Sequence, residues 1–259
     1  MFKYALALYL LVSTASIGEI TDEFDPVLRT RMDAMISVFE NDTPILQYGY
    51  IEDIHDERGF TAGRAGFTTA SGDLLQVVEK YTELKPRNSL TRLIPRLKEI
   101  ARTSSPFTTG LEALPALWKL SAQDPDFRKA QDEIVDEDYF FPALEMAKKY
   151  NIKTPLGIFI FYDAMIQHGD GDDADSFDSI ARTIIEPNIE PLQREEKFLR
   201  LFLQSREKIL SNPSNQGTRE NWKESIIRVK ILERLLDEQN FQLKPPIEIN
   251  VYGEDYEIL

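Results

Sequence analysis

Residues 154–169 read TPLGIFIFYDAMIQHG, and this stretch settles what kind of core the chain builds. Thr154 is placed to cap a helix, Pro155 suits its first turn and Gly169 its end. Between them the residues are apolar on nearly every side, as in a helix surrounded by other elements. Asp163 breaks that pattern. In such a setting it would carry a large desolvation cost unless a cation met it. Arg206 is the candidate partner, because Phe202 and Leu203 precede it by four and three positions on what reads as a buried helix face. Such a pair can simply join two helices, or it can stand behind an active site.

Helical periodicity dominates on either side as well, with few alternating stretches and no internal repeat. Asp25 and Pro26 start a first helix whose apolar stripe is Leu28, Met32, Met35, Ile36 and Phe39. Glu40 therefore sits at or just beyond its C-terminal end. Over residues 50–71, YIEDIHDERGFTAGRAGFTTAS, the period fails and Gly, Thr and acidic residues gather, which predicts loops and a small hairpin or sheet. Helical patterns resume over residues 73–84, 89–101, 111–120 and 124–150, the last long enough to act as a backbone between two lobes. Two more amphipathic helices are expected around residues 190–210 and 218–236, and the tail 243–259, with Pro245 and Pro246, reads as extended. The predicted fold class is mainly α, with a small sheet in the N-terminal part.

Lys3 precedes an apolar run over residues 4–12 that ends in small residues, the pattern of a secretory signal peptide covering roughly residues 1–18. The run is too short to span a bilayer. An exported, extracellular protein is expected, with residues 19–259 forming a single domain of two lobes. It reads as a monomer. The chain has no cysteine, so packing rather than disulfides must hold it. With 30 basic against 44 acidic residues its formal net charge is −14. Nucleic acid and anionic membranes are poor partners for such a chain. The charge favours solubility, and a cleft lined with carboxylates would also concentrate a polycation.

Cleaving a glycosidic bond needs one carboxylic acid to protonate the leaving oxygen and one carboxylate to activate water or attack, on opposite sides of the sugar. Glu40 at a helix end and Asp56 in an acidic loop are candidates, although spacing alone does not separate them from surface residues. YIEDIHDERGFTAG (residues 50–63), SGDLLQVVEKYTEL (71–84) and FYDAMIQHGDGDDADSF (161–177) resemble glycoside hydrolase family 46, the chitosanases. FRKAQDEIVDEDYFFPALEMA (127–147) and LKPPIEINVYGEDYEI (243–258) are similar to it too, so the resemblance runs in order over nearly all of the mature chain. It implies a lysozyme-like, two-lobed helical fold with the cleft between the lobes, and inverting endo-hydrolysis of chitosan. By position it makes Glu40 the general acid, Asp56 the general base and Thr61 the residue that helps hold the attacking water. Asp73 corresponds to an acidic residue that binds a glucosamine amino group, and Tyr50, Arg58, Tyr139 and His168 to cleft positions. Asp163, Arg206 and Arg219 correspond to a buried charge network that reaches the acid.

Two features depart from that family. The loop between Glu40 and the first motif is short and lacks a tryptophan, which bears on sugar stacking at one end of the cleft. Asn41-Asp42-Thr43 is a glycosylation sequon directly after the proposed acid. No metal and no cofactor is expected. GDGDDADSFD (residues 169–178) places Ala174 and Ala181 at the fifth and twelfth positions counted from Asp170, where a calcium loop needs ligands. His55 and His168 lack a second histidine or a cysteine at metal-ligand spacing, and no serine or cysteine nucleophile motif occurs. Two other readings stay open: a hydrolase of chitin or peptidoglycan on the same scaffold, and a non-catalytic secreted polysaccharide-binding protein. Cleft charge separates the first from a chitosan enzyme, because ammonium groups favour carboxylates whereas acetylated chains need apolar pockets and amide partners.

Overall fold

The computed structural model describes residues 24–55, 57–171, 173–184, 194–214 and 219–259. The side chains of 219–221 are not among them, and the stretch read as a signal peptide lies outside the described residues. Helix α1 (Pro26–Asn41) starts as its sequence dictates: the Asp25 carboxylate accepts from the Val27 amide at 2.9 Å and Pro26 occupies the first turn. It ends where Asp42 turns left-handed, φ 51°, and its amide returns to the Val38 carbonyl. Glu40 thus lies in the last turn.

A three-stranded antiparallel sheet follows, β1 (Ile51–Asp53), β2 (Phe60–Ala62) and β3 (Phe67–Thr68), in that spatial order. Thr61 stands on the central strand, opposite Glu52 on one side and Thr68 on the other. Helices α2 (Asp73–Leu84), α3 (Ile94–Thr103, entered through a 3₁₀ turn), α4 (Leu114–Ser121) and α5 (Pro125–Val135) complete this part. Of these, α2, α4 and α5 meet in edge-on aromatic contacts of Phe127 with Tyr81 at 5.0 Å and with Trp118 at 4.8 Å.

The helix expected to run unbroken over residues 124–150 is interrupted. A π-helical turn, Asp136–Phe140, separates α5 from α6 (Phe141–Lys149), with the Phe141 amide reaching back to the Asp136 carbonyl. Pro142 supplies the reason, since it has no N–H to donate and its ring crowds the carbonyl of the preceding turn. The core helix α7 (Pro155–His168) carries the predicted caps, Thr154 accepting from the Gly157 amide and Gly169 ending it at φ 65°. Around it pack α8 (Phe177–Arg182), α9 (Arg194–Ser211), α10 (Arg219–Glu224) and α11 (Ile226–Asp237). The single helix expected over residues 218–236 is thus two. The extended tail is a hairpin, β4 (Ile247–Val251) with β5 (Glu254–Ile258), after a cis Pro245–Pro246 bond. The buried apolar residues form one continuous cluster, with Phe161 in ring contact with Phe177 and Phe202 at its centre.

The loop between β2 and β3 is tied to three helices at once. The Arg64 guanidinium is buried and meets Asp33 of α1 at 2.8 Å and Asp132 of α5. The Tyr162 hydroxyl of α7 donates to the same Asp33 oxygen at 2.9 Å. The backbone approaches α5 closely enough that a Cβ on Gly63 would lie 2.4 Å from Gln131 Oε1 and 2.9 Å from the Phe67 ring. Gly63 also has φ 73°, whereas Gly253, in the β4–β5 turn at φ 89°, has open space where a Cβ would stand, with nothing within 4 Å. Gly253→Ala is therefore expected to cost only the left-handed backbone term, about 1–2 kcal/mol. Gly63→Ala adds a collision and should cost roughly 2–5 kcal/mol in all. Urea unfolding of both variants checks this, and equal losses would show that the close approach to α5 does not matter.

Candidate active site

From the last turn of α1, Glu40 points a carboxylate oxygen at Arg228 Nη1, 2.5 Å away. Arg228 stands on α11 and is only 5% exposed. Its Nε and Nη2 donate to Asp163 Oδ1 at 2.9 and 2.5 Å. The other Asp163 oxygen accepts from Arg206 Nη1. Asp163 itself has no exposed surface, so burial pushes its pKa up, but the two guanidiniums overcome that and hold it below the ordinary carboxylate value. Asp163 and Glu40 raise Arg228 against its burial, whereas at Arg206 burial outweighs Asp163 and lowers it. Four side chains from α1, α7, α9 and α11 thus form one relay with two charges of each sign.

The Asp163–Arg206 pair is the one expected, and Arg228, which the sequence reading left out, joins Asp163 to Glu40. The side chain of Arg219, the arginine expected there, lies outside the described residues. The signal for Arg228 is present in the sequence: Ile231, Leu232 and Leu235 follow it on the buried face of the helix, the same argument that singles out Arg206. His168, expected in the cleft, is instead buried behind it. Its Nε2 accepts from Arg206 Nε at 3.2 Å and its Nδ1 lies 2.8 Å from the Asp175 carbonyl, which it can reach only as donor. Burial, with Arg206 beside it, pulls the His168 pKa down to about 3, so the ring is neutral. The imidazole holds Arg206 in place and is not among the residues that line the cleft.

The cleft in front of Glu40 has a volume of about 560 Å³. Tyr50, Arg58, Thr61, Asp73 and Tyr139 all line it, as expected. Asp73 opens α2 and accepts at one carboxylate oxygen from the Thr68 amide (2.7 Å), the Ser71 hydroxyl (2.6 Å) and the Leu74 amide (2.8 Å). Burial raises its pKa against those hydrogen bonds. Tyr139, brought to the wall by the π turn, is held well above its ordinary value by burial and by the carboxylates of Asp73, Asp138 and Glu40. The wall is therefore electronegative. Thr61 Oγ1 and Asn41 Nδ2 are buried and make no hydrogen bond to a protein group, although both residues line the cleft. Buried polar atoms in that condition call for water or a ligand. With Nδ2 so enclosed, the Asn41 sequon is poorly placed to carry a glycan. Read only as a sequon, Asn41 gives no sign in the sequence of being a cleft residue.

Asp56 lies outside the described residues. The residues on both sides of it, His55 (φ 57°) and Glu57 (φ 66°), take left-handed backbone conformations, a local strain of the sort held at functional loops. The loop also connects β1 to β2, the strand of Thr61.

A family model described as Glycosyl hydrolase family 46 matches residues 34–247. A chitosanase of Bacillus subtilis (strain 168) is 43% identical over 230 residues, covering 87% of this chain and 83% of that protein. A chitosanase of Nocardioides sp. (strain N106) is 36% identical, covering 82% and 74%. Among solved structures, a complex of the Gynuella sunshinyii GH46 chitosanase with chitotetraose superposes with a TM-score of 0.83 at 42% identity, over 92% of this chain and 99% of that one.

His168 takes up a proton more readily in the unfolded chain, where its ordinary value is 6.5, than in the folded one at about 3. Its neutral burial stabilises the fold fully above pH 6.5, and that contribution is lost as pH falls toward 3. Between pH 7 and pH 4 the loss should be roughly 3 kcal/mol. His168→Gln keeps an acceptor for Arg206 and removes the titration. Chemical denaturation at the two pH values should show the wild type losing that much more than the variant, and parallel losses would contradict it.

Proposed function

Since this chain belongs to glycosyl hydrolase family 46 and has its mainly helical, lysozyme-like fold, we propose that it hydrolyses the β-1,4-glucosaminidic linkages of chitosan internally and with inversion. The observation that carries the reading is the buried relay from Arg206 through Asp163 and Arg228, which ends on Glu40 at the wall of an electronegative cleft. Glu40 is the general acid: it gives its proton to the glycosidic oxygen as the bond from that oxygen to C1 breaks. Asp56 is the general base on the opposite face. It takes a proton from a water molecule whose oxygen bonds to C1 from below, and Thr61 Oγ1, buried without a protein partner, helps hold that water. Arg228 fixes the direction of the Glu40 carboxyl, and Asp163 and Arg206 fix Arg228.

Recognition rests on charge. Asp73, Asp42 and Glu40 face the cleft, and each ammonium of a glucosamine chain is attracted to such a wall, less strongly as salt is added. Tyr50, Arg58 and Tyr139 supply the rest of the sugar-binding surface. The chain acts as a secreted monomer once the signal over residues 1–18 is removed, and it uses no cofactor.

Proton NMR of a fresh chitosan digest tests the mechanism. Inversion of a β linkage releases the α anomer first, and an initial β anomer would mean retention. Glu40→Gln should lower kcat by about 10²–10⁴-fold, the usual worth of a general acid, while melting close to the wild type because the amide still accepts from Arg228. An active Glu40→Gln would remove Glu40 from the role.

A further inference from the structure

Past Gln47 and Tyr50, both of which line the cleft, the surface continues into a second depression of about 610 Å³. Its chemistry differs from that of the cleft. Ile45, Leu46, Tyr48 and Ala122 give it an apolar surface, and none of its lining residues carries a carboxylate. Its ionic group is the guanidinium of Arg128, whose Nε donates to the Ala122 carbonyl at 2.7 Å and which lies 5.8 Å from the Tyr48 ring centre.

The groove is held in shape by hydrogen bonds within the protein. Trp118 Nε1 and Gln131 Nε2 both donate to the Tyr48 carbonyl at 3.0 Å, and the Tyr48 hydroxyl donates to Asp132 at 2.9 Å. Ser37 Oγ and Gln47 Nε2 donate to the Ile45 carbonyl at 3.1 and 2.6 Å, so the backbone is fixed while the Ile45 side chain is left 70% exposed. At Gly49 the floor comes so near α4 that a Cβ would lie 3.3 Å from that of Ala122. A preordered apolar surface that opens directly from a sugar cleft suits one more unit of the same polymer.

Resting on the chitosan reading, we propose that this groove takes an N-acetylglucosamine residue of the chain whose deacetylated residues fill the cleft. A glucosamine there would set its ammonium against Arg128 with no carboxylate among the groove's lining residues to balance it, the nearby Asp132 being engaged by Tyr48 and Arg64. An acetamido group is neutral, its methyl meets Ile45, Leu46 and Ala122, and its carbonyl accepts from the guanidinium. The enzyme is then selective in opposite senses along one chain: charge inside the cleft, acetylation beyond it.

The test digests fully deacetylated and partially acetylated chitosan side by side and sequences the product oligomers by mass spectrometry. Wild type should cut the first substrate, and from the second it should give products in which one position at a fixed distance from the new end is enriched in acetylated units. The expected enrichment is about fourfold, the worth of one buried methyl-sized group. Ile45→Glu and Arg128→Glu should each abolish it, and each should lower KM for deacetylated chitosan at low salt by supplying a carboxylate to the ammonium. Absence of any enriched position, or enrichment that survives both substitutions, overturns the groove. A wild type that cannot cut deacetylated chitosan at all overturns the underlying function and the groove with it, which is a different result from cutting without selectivity.

Discussion

A carboxylate with no exposed surface is the constraint around which this protein is organised. Asp163 cannot stand alone in the centre of an apolar helix, since the effective cost of burying an unpaired charge is several kcal/mol. It is met by two arginines from two different helices, Arg206 of α9 and Arg228 of α11, and each arginine must then be aimed by something else. His168 and Gln167 hold Arg206; Glu40 and Asp163 hold Arg228. A buried ion pair of this kind is weak evidence for net stability, because an apolar replacement can do as well. What it does fix is geometry. Removing one member leaves the others buried and unbalanced, at about 3–5 kcal/mol, so the four helices are held in one arrangement.

The residue next to it in sequence does the same for the other side of the molecule. Tyr162 donates to Asp33, and Asp33 also holds Arg64 in the loop after β2. Helix α1 therefore takes part in both networks, through Asp33 two turns before its end and through Glu40 in its last turn. Adjacent residues of α7 thereby set the position of the helix that carries Glu40 and of the strand that carries Thr61. The placing of Glu40 relative to the strand of Thr61 is thus fixed by buried polar groups rather than by the cleft surface.

How much of this can be read from the sequence depends on how local the physics is. Asp25-Pro26 and Thr154-Pro155 with Gly169 set helix limits that the structure repeats, because a cap is a hydrogen bond between neighbours in sequence. Asp163 announces its need for a cation through burial alone. The π turn is not legible although Pro142 is visible, since a proline can end, kink or bulge a helix and tertiary packing decides which. Family resemblance puts His168 in the cleft, against a periodicity that points inward: Phe161, Ala164 and Met165 precede it on a buried face. Arg228 is missed although Ile231, Leu232 and Leu235 put it on a buried helical face, because a matched position drew the reading to Arg219. The groove beyond Gln47 has no sequence signal, because Ile45, Ala122 and Arg128 are joined only by the packing of Trp118 and Gln131 under Tyr48.

The central claim is that Asp163 acts on Glu40 through Arg228 and is not merely a structural charge. The pH dependence of kcat for Asp163→Asn beside the wild type tests it most directly, because the amide keeps the size and an acceptor while removing the charge that balances the two arginines. Its basic limb, where the acid loses its proton, should move to lower pH as the uncompensated guanidinium favours the carboxylate. If the two profiles superimpose while the variant only melts earlier, Asp163 holds the fold together and has no part in the chemistry.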